Sequence, residues 1–108
     1  MPARVEKSWG YEEILENGAY CMKLLVYTKP IASSLHYHEW KRESFYCASG
    51  TFNLELGDGP PQPFNAGCAV TIPSGTRHRL RCIVPGVVVE ASTYDDQDDC
   101  VRLIPSES

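Results

Sequence analysis

The sequence predicts an all-β fold made of many short strands joined by tight turns. Turn signals recur at intervals of roughly ten residues, at Asn17-Gly18, Lys29-Pro30, Ser49-Gly50, Gly57-Asp58-Gly59-Pro60-Pro61, Pro73-Ser74-Gly75 and Pro85-Gly86, and the runs between them are too short for helices. Those runs are also rich in the β-branched and aromatic side chains that suit a pleated, half-buried surface. In chain order they are Ala19 to Thr28 (AYCMKLLVYT), Thr51 to Leu56 (TFNLEL), Ala69 to Ile72 (AVTI) and Ile83 to Thr93 (IVPGVVVEAST). Short strands with regular turns leave either a sandwich or a closed barrel, because both architectures dispose of exposed strand edges. Periodicity does not separate the two.

With 108 residues and no break in composition, the chain reads as one folding unit over residues 1–108, its core spanning about 9–104. No stretch reaches the roughly 18 apolar residues that a membrane span needs. The first residues, MPARVEKSWGYEEIL, lack the apolar core of a secretory signal, and the five cysteines are odd in number with no CxxC pair. Reduced thiols and a cytoplasmic location are therefore expected. A net charge of −4 disfavours a nucleic-acid partner, which requires clustered Lys and Arg to neutralise phosphates. Arg77, Arg79 and Arg81 are the local exception. Their alternation with His78 and Leu80 puts the three on one strand face, read here as a solvated outer surface with phosphate recognition as the alternative. The acidic run Asp95-Asp96-Gln97-Asp98-Asp99 reads as a solvated loop.

The chain has only three histidines, all beside strand and turn signals. His36 and His38 are two apart, so on a strand both rings point to the same face. Glu43 follows the polar tetrapeptide Glu39-Trp40-Lys41-Arg42, where a turn would bring the next strand alongside. His78 follows a predicted strand and the Pro73-Ser74-Gly75 turn, and so arrives from a distant strand. Three imidazoles and a carboxylate form a nitrogen and oxygen set suited to one divalent transition metal, among Mn, Fe, Co, Ni, Cu and Zn. In an octahedral site such a set leaves positions open for a hydroxy-carbonyl substrate or for dioxygen. Spacing alone also fits three ordinary barrel or surface histidines beside a solvated glutamate.

The same residues resemble the two signature motifs of the cupin superfamily. The first runs His36, His38, Glu43 after four residues, and Gly50 after six more; the second runs Gly67, five residues, Pro73, one residue, Gly75, two residues and His78. Sixteen residues separate Gly50 from Gly67, as in compact microbial cupins. The resemblance implies a single-domain cupin jelly-roll β-barrel, with His36, His38, Glu43 and His78 as metal ligands facing its interior. Pro30 stands where the first motif usually opens with glycine, and Cys82 where the second usually closes with asparagine; neither is a ligand.

From Trp9 to Ile104 the chain is similar to the mannose-6-phosphate isomerase-like branch. The segments that carry this are Trp9-Gly10-Tyr11-Glu12-Glu13-Ile14-Leu15, Lys23-Leu24-Leu25-Val26, Ser34-Leu35-His36-Tyr37-His38, and Glu90-Ala91-Ser92-Thr93 followed by acidic residues and Val101-Arg102. The resemblance implies a sugar or sugar phosphate substrate, aldose–ketose isomerisation, and Arg102 as a catalytic residue. It also implies a homodimer in which Trp9, Tyr11 and Ile14 are interface residues. The general base that isomerisation needs is assigned to Glu90, on a strand expected to line the barrel, with a structural carboxylate as the other reading. Lys41 and Tyr46 are weaker options, and alternation turns Tyr46 outward from the Glu43 face. A non-enzymatic sugar-binding module and an iron-dependent dioxygenase stay open beside the isomerase.

Overall fold

The computed structural model describes residues 3–108. Eleven strands, and among the described residues no helix, form two antiparallel sheets. In chain order the strands are β1 (Ala3–Lys7), β2 (Gly10–Asn17), β3 (Cys21–Tyr27), β4 (Leu35–Tyr37), β5 (Glu43–Cys47), β6 (Thr51–Leu56), β7 (Gln62–Asn65), β8 (Ala69–Ile72), β9 (His78–Val84), β10 (Gly86–Ser92) and β11 (Val101–Ile104). One sheet has the order β1-β2-β3-β10-β5-β8 and the other β11-β4-β9-β6-β7. The all-β expectation holds, and two antiparallel sheets enclosing one interior are the arrangement that the resemblance implies.

The run from Ile83 to Thr93 proves to be two strands. Pro85, which cannot donate to a ladder, marks the corner at which the chain leaves β9 in one sheet and enters β10 in the other. Close approach of backbones fixes a second corner. Gly50 has φ of +87°, and a Cβ there would sit 2.6 Å from the Val84 carbonyl oxygen and 2.8 Å from Gly86 Cα. Only glycine satisfies both demands.

Strand registry sorts the interior of the six-stranded sheet into rows. Cys21, Ser92, Glu43 and Ile72 lie opposite one another, followed by Lys23, Glu90, Phe45 and Val70, and then by Leu25, Val88 and Cys47. Across the barrel, Arg102 pairs with His36 and His36 with His78. The apolar core gathers at one end, around Tyr27, Phe52, Leu54, Phe64, Leu80, Cys82 and Val88. Tyr46 faces outward and is 48% exposed, as alternation requires.

Within the chain, two of the residues assigned to a dimer interface face the interior. Trp9 is buried and stacks on Tyr27 with ring centroids 4.2 Å apart, and Ile14 lines the interior cavity. The arginine stripe is solvated at Arg77 and in part at Arg81, but not at Arg79. Arg79 is buried and its Nε donates to the Ser33 carbonyl, Arg81 makes a paired contact with Glu107, and Arg77 meets Asp58. Arg77 and Arg81 thus meet carboxylates within the chain, whereas Arg79 meets a carbonyl. All five cysteines are free thiols.

Candidate metal centre

Four elements bring the predicted ligands to one end of the barrel. His36 stands on β4, His38 just beyond it, Glu43 opens β5 and His78 opens β9. One ligating nitrogen from each imidazole lies within 4.8 Å of the other two. Glu43 Oε2 is 3.3 Å from both His38 Nε2 and His78 Nε2.

The hydrogen bonds on the far side of each ring explain the orientation. His36 Nδ1 faces the Ser34 carbonyl at 3.0 Å, His38 Nδ1 the Asp99 carbonyl at 2.6 Å, and His78 Nδ1 the Thr76 carbonyl at 2.9 Å. A carbonyl oxygen only accepts, so each Nδ1 carries the hydrogen and each Nε2 presents a lone pair. Three lone pairs and a carboxylate oxygen then converge with no proton between them. Glu43 Oε2 and His78 Nε2 accordingly have no hydrogen-bond partner among the described residues, although both are buried. Buried polar atoms left without partners are rare and costly. A divalent cation is the group that this donor set accommodates: two donors each about 2.1 Å from one ion lie about 3.0–3.4 Å apart.

Charge supports the same fit. Burial, and then the neighbouring His78 and His38, depress the His36 pKa to about 3, which keeps the ring neutral and able to coordinate. His38 is lowered as well, by burial and by Lys41. Burial opposes ionisation of Glu43, but the Lys41 ammonium beside it favours the carboxylate, which is held down at about 2.

Beside these residues lies a buried ionic cluster that sequence reasoning missed in large part. Lys41 Nζ meets Glu90 Oε2 at 3.0 Å, Asp95 Oδ1 at 2.9 Å and Glu43 Oε1 at 3.9 Å. Lys23 Nζ meets Asp95 Oδ2 at 2.8 Å and Glu12 Oε1 at 3.2 Å. Burial alone would discharge both lysines, yet their carboxylate partners keep them firmly protonated, Glu90 foremost for each. Glu90 itself is raised, by burial and then by the charge on Glu43, against the pull of Lys41 and Lys23.

The cluster and the imidazoles line one cavity of about 310 Å³. Glu90 and Arg102 both face it, so the two residues assigned to catalysis share a chamber with the four predicted ligands. Glu90 is paired with a lysine rather than with an arginine. The acidic run needs correction. Asp95 sits in the ionic cluster and Asp99 is buried against the loop after His38, so these two are structural members of the site rather than a solvated loop. A signal for Lys23 was present in the sequence, since it shares the alternation phase of Cys21, Leu25 and Tyr27. The pairings of Asp95 and Asp99 had none, because their partners lie 54 to 72 residues away.

Comparison with known proteins follows the geometry. The Cupin domain family matches residues 25–91. Protein SchB of Streptomyces halstedii is 40% identical over 48 residues, which are 44% of this chain and 34% of that protein, so the chain spans about a third of the length of this curated relative. Among solved structures, KdgF from Halomonas sp. superposes with a TM-score of 0.79 at 18% identity, covering 89% of this chain and 91% of that one. An RmlC-like cupin from Shewanella frigidimarina gives 0.78 at 18% identity, covering 90% and 87%. Pac13 from Streptomyces with uridine gives 0.80 at 14% identity, covering 98% and 87%. At these identities the likeness shows the fold.

Proposed function

The chain belongs to the cupin family, and from that premise we propose that it is a metal-dependent enzyme of small sugars or sugar phosphates, acting as an aldose–ketose isomerase with His36, His38, Glu43 and His78 as the metal ligands. The observation that carries this reading is the single cavity in which the four ligands face Glu90, a buried carboxylate held by a lysine. Its volume of about 310 Å³ suits a monosaccharide. Pac13 is a nucleoside dehydratase of the same architecture, described with uridine, which supports a sugar-bearing ligand in such a barrel.

A divalent ion held by the four residues would supply a Lewis acid that polarises a carbonyl and supports developing negative charge. Glu90 takes the proton from the carbon beside that carbonyl and returns it to the neighbouring carbon, while a hydroxyl proton passes between the two oxygens. Burial and the Glu43 charge raise the Glu90 pKa, which brings the carboxylate closer to the range in which a general base is effective. Lys41 grips Oε2 of Glu90 at 3.0 Å, leaving Oε1 as the atom that carries the proton. Arg102, opposite His36 in register, meets the anionic group of a phosphorylated or acidic sugar at the cavity wall.

The test is exchange of the C2 proton in D2O, followed by NMR, with Mn²⁺-loaded protein and a panel of aldoses and aldose phosphates. Exchange is expected with at least one sugar, and Glu90→Gln should lower its rate by about 10²-fold or more while metal affinity is retained. Saturable sugar binding without exchange would mark a binding module instead, and oxygen consumption with Fe(II) an oxygenase. Either result would overturn the isomerase.

A further inference from the structure

The segment between β10 and β11 reaches back over the metal end of the barrel, and its penultimate residue, Asp99, does more than close a turn. Asp99 is buried. Its carboxylate accepts from three successive backbone amides of the loop joining β4 to β5: Glu39 N–H at 2.8 Å to Oδ1, Trp40 N–H at 3.3 and 3.2 Å to Oδ1 and Oδ2, and Lys41 N–H at 3.0 Å to Oδ2. Three amides converging on one anion form a nest, which fixes the backbone that makes it. The backbone carbonyl of the same residue accepts from His38 Nδ1 at 2.6 Å. Asp99 therefore holds the ring of one predicted ligand directly, and through the loop it fixes the start of the strand that carries Glu43 and the backbone of Lys41.

The rest of the loop shows what this contact adds. Gly75 N–H donates to the His38 carbonyl at 2.6 Å, Ser74 Oγ to the Trp40 carbonyl at 2.9 Å, and Thr93 N–H to the Arg42 carbonyl at 3.0 Å. These bonds tether carbonyls, whereas the amides of residues 39–41 depend on Asp99.

We propose that Asp99 is a positioning residue of the metal centre, setting the tautomer and angle of His38 and the placement of Glu43. This rests on the metal-site reading above and adds to it a residue some 60 positions away that touches neither ion nor substrate. Loss of an outer-shell partner of a metal-bound histidine typically weakens metal binding 10–100-fold.

The experiment compares wild type, Asp99→Ala and Asp99→Asn in two measurements. Mn²⁺ affinity is measured by counting free ion at a temperature where circular dichroism shows the protein folded. Ring ¹⁵N shifts are recorded on apo protein labelled at histidine, where only three residues contribute. Asp99→Ala keeps the backbone carbonyl but removes the carboxylate that fixes the loop, so carbonyl and ring should drift apart: a loss of about 10–100-fold in Mn²⁺ affinity and a mixture of His38 tautomers in place of Nδ1–H alone, with His78 unmoved. Asp99→Asn, which keeps one acceptor oxygen and tests the idea should the alanine variant not fold, should fall between. Unchanged affinity together with an unchanged His38 ring in folded protein would overturn the proposal, as would equal disturbance of all three rings, which marks a merely structural role. Failure of wild type to bind any Mn²⁺ would sink the metal reading, and the tautomer of His38 in the apo protein would still decide whether Asp99 holds the ring.

Discussion

The strands around the barrel interior change character halfway along. On its inward face β3 carries Lys23 and then Leu25 and Tyr27, β5 carries Glu43 and then Phe45 and Cys47, β9 carries His78 and then Leu80 and Cys82, and β10 carries Glu90 beside Val88. All of these side chains are buried, so burial itself does not separate the halves. What differs is how burial is made tolerable. At one end removal of apolar area from water is itself favourable, by about 1.5–3 kcal/mol for a large side chain. At the other end desolvation is offset only by partners, and a buried ion pair of this kind contributes little net stability compared with apolar residues of the same volume. One half of the interior therefore holds the fold, while the other gathers the candidate metal ligands and the ionic cluster.

The sharpest way to break this division is from the apolar side. Phe52 is completely buried, lies edge-on to Tyr27 at 5.0 Å and faces Cys82 and Phe64 across its neighbouring strands. Phe52→Ala should cost about 3–5 kcal/mol of unfolding free energy, read as a lower urea midpoint at constant slope, and leave the Mn²⁺ affinity of folded protein unchanged. If affinity falls in step with stability, the two halves are one cooperative unit and the division fails.

A smaller effect is expected from the ionic cluster, and it should depend on pH. Burial raises the Asp95 pKa, but Lys23 and Lys41 overcome it and bring the carboxyl from an ordinary 3.8 down to about 2. The unfolded chain is then the first to take up a proton as pH falls. The stability this group contributes is complete above pH 3.8 and is lost as pH falls through about 2. At about 1.4 kcal/mol per pKa unit, Asp95→Asn should destabilise the protein by about 2 kcal/mol at neutral pH, with the gap to wild type closing near pH 2. Denaturant melts across that range check it. A gap of the same size at every pH would mean that Asp95 acts through packing rather than charge.

The apolar half and the grouping of the four candidate ligands were legible in the sequence for the same reason: both obey alternation. A period of two places Phe45 and Cys47 with Glu43 and turns Tyr46 outward, and motif spacing picks out His36, His38, Glu43 and His78. The ionic cluster was legible only where it lies on strands, as with Lys23 and Glu90. Asp95 and Asp99 belong to a segment without periodicity, and an acidic run looks solvated until its cationic and amide partners are brought beside it by folding. The burial of Arg79 and of Trp9 within the chain was missed for a related reason. A strand pattern indicates which face a side chain takes but not what covers that face, here the Ser33 carbonyl for one and Tyr27 for the other.

The smallest effect on stability should come from His78, although it is as buried as Phe52 is. Its Nδ1 bond to the Thr76 carbonyl is worth about 1 kcal/mol, whereas its unpartnered Nε2 carries a desolvation cost of similar size. His78→Gln, close in volume, should therefore leave metal-free protein within about 1 kcal/mol of wild type. The same substitution should abolish stabilisation by metal. A ligand that binds only the folded state adds about 2.7 kcal/mol at a hundred times its dissociation constant, so wild type should melt higher with Mn²⁺ and the variant should not. A variant that still gained stability from Mn²⁺ would place the ion elsewhere, and one that unfolded without metal would show that the polar half holds the fold after all.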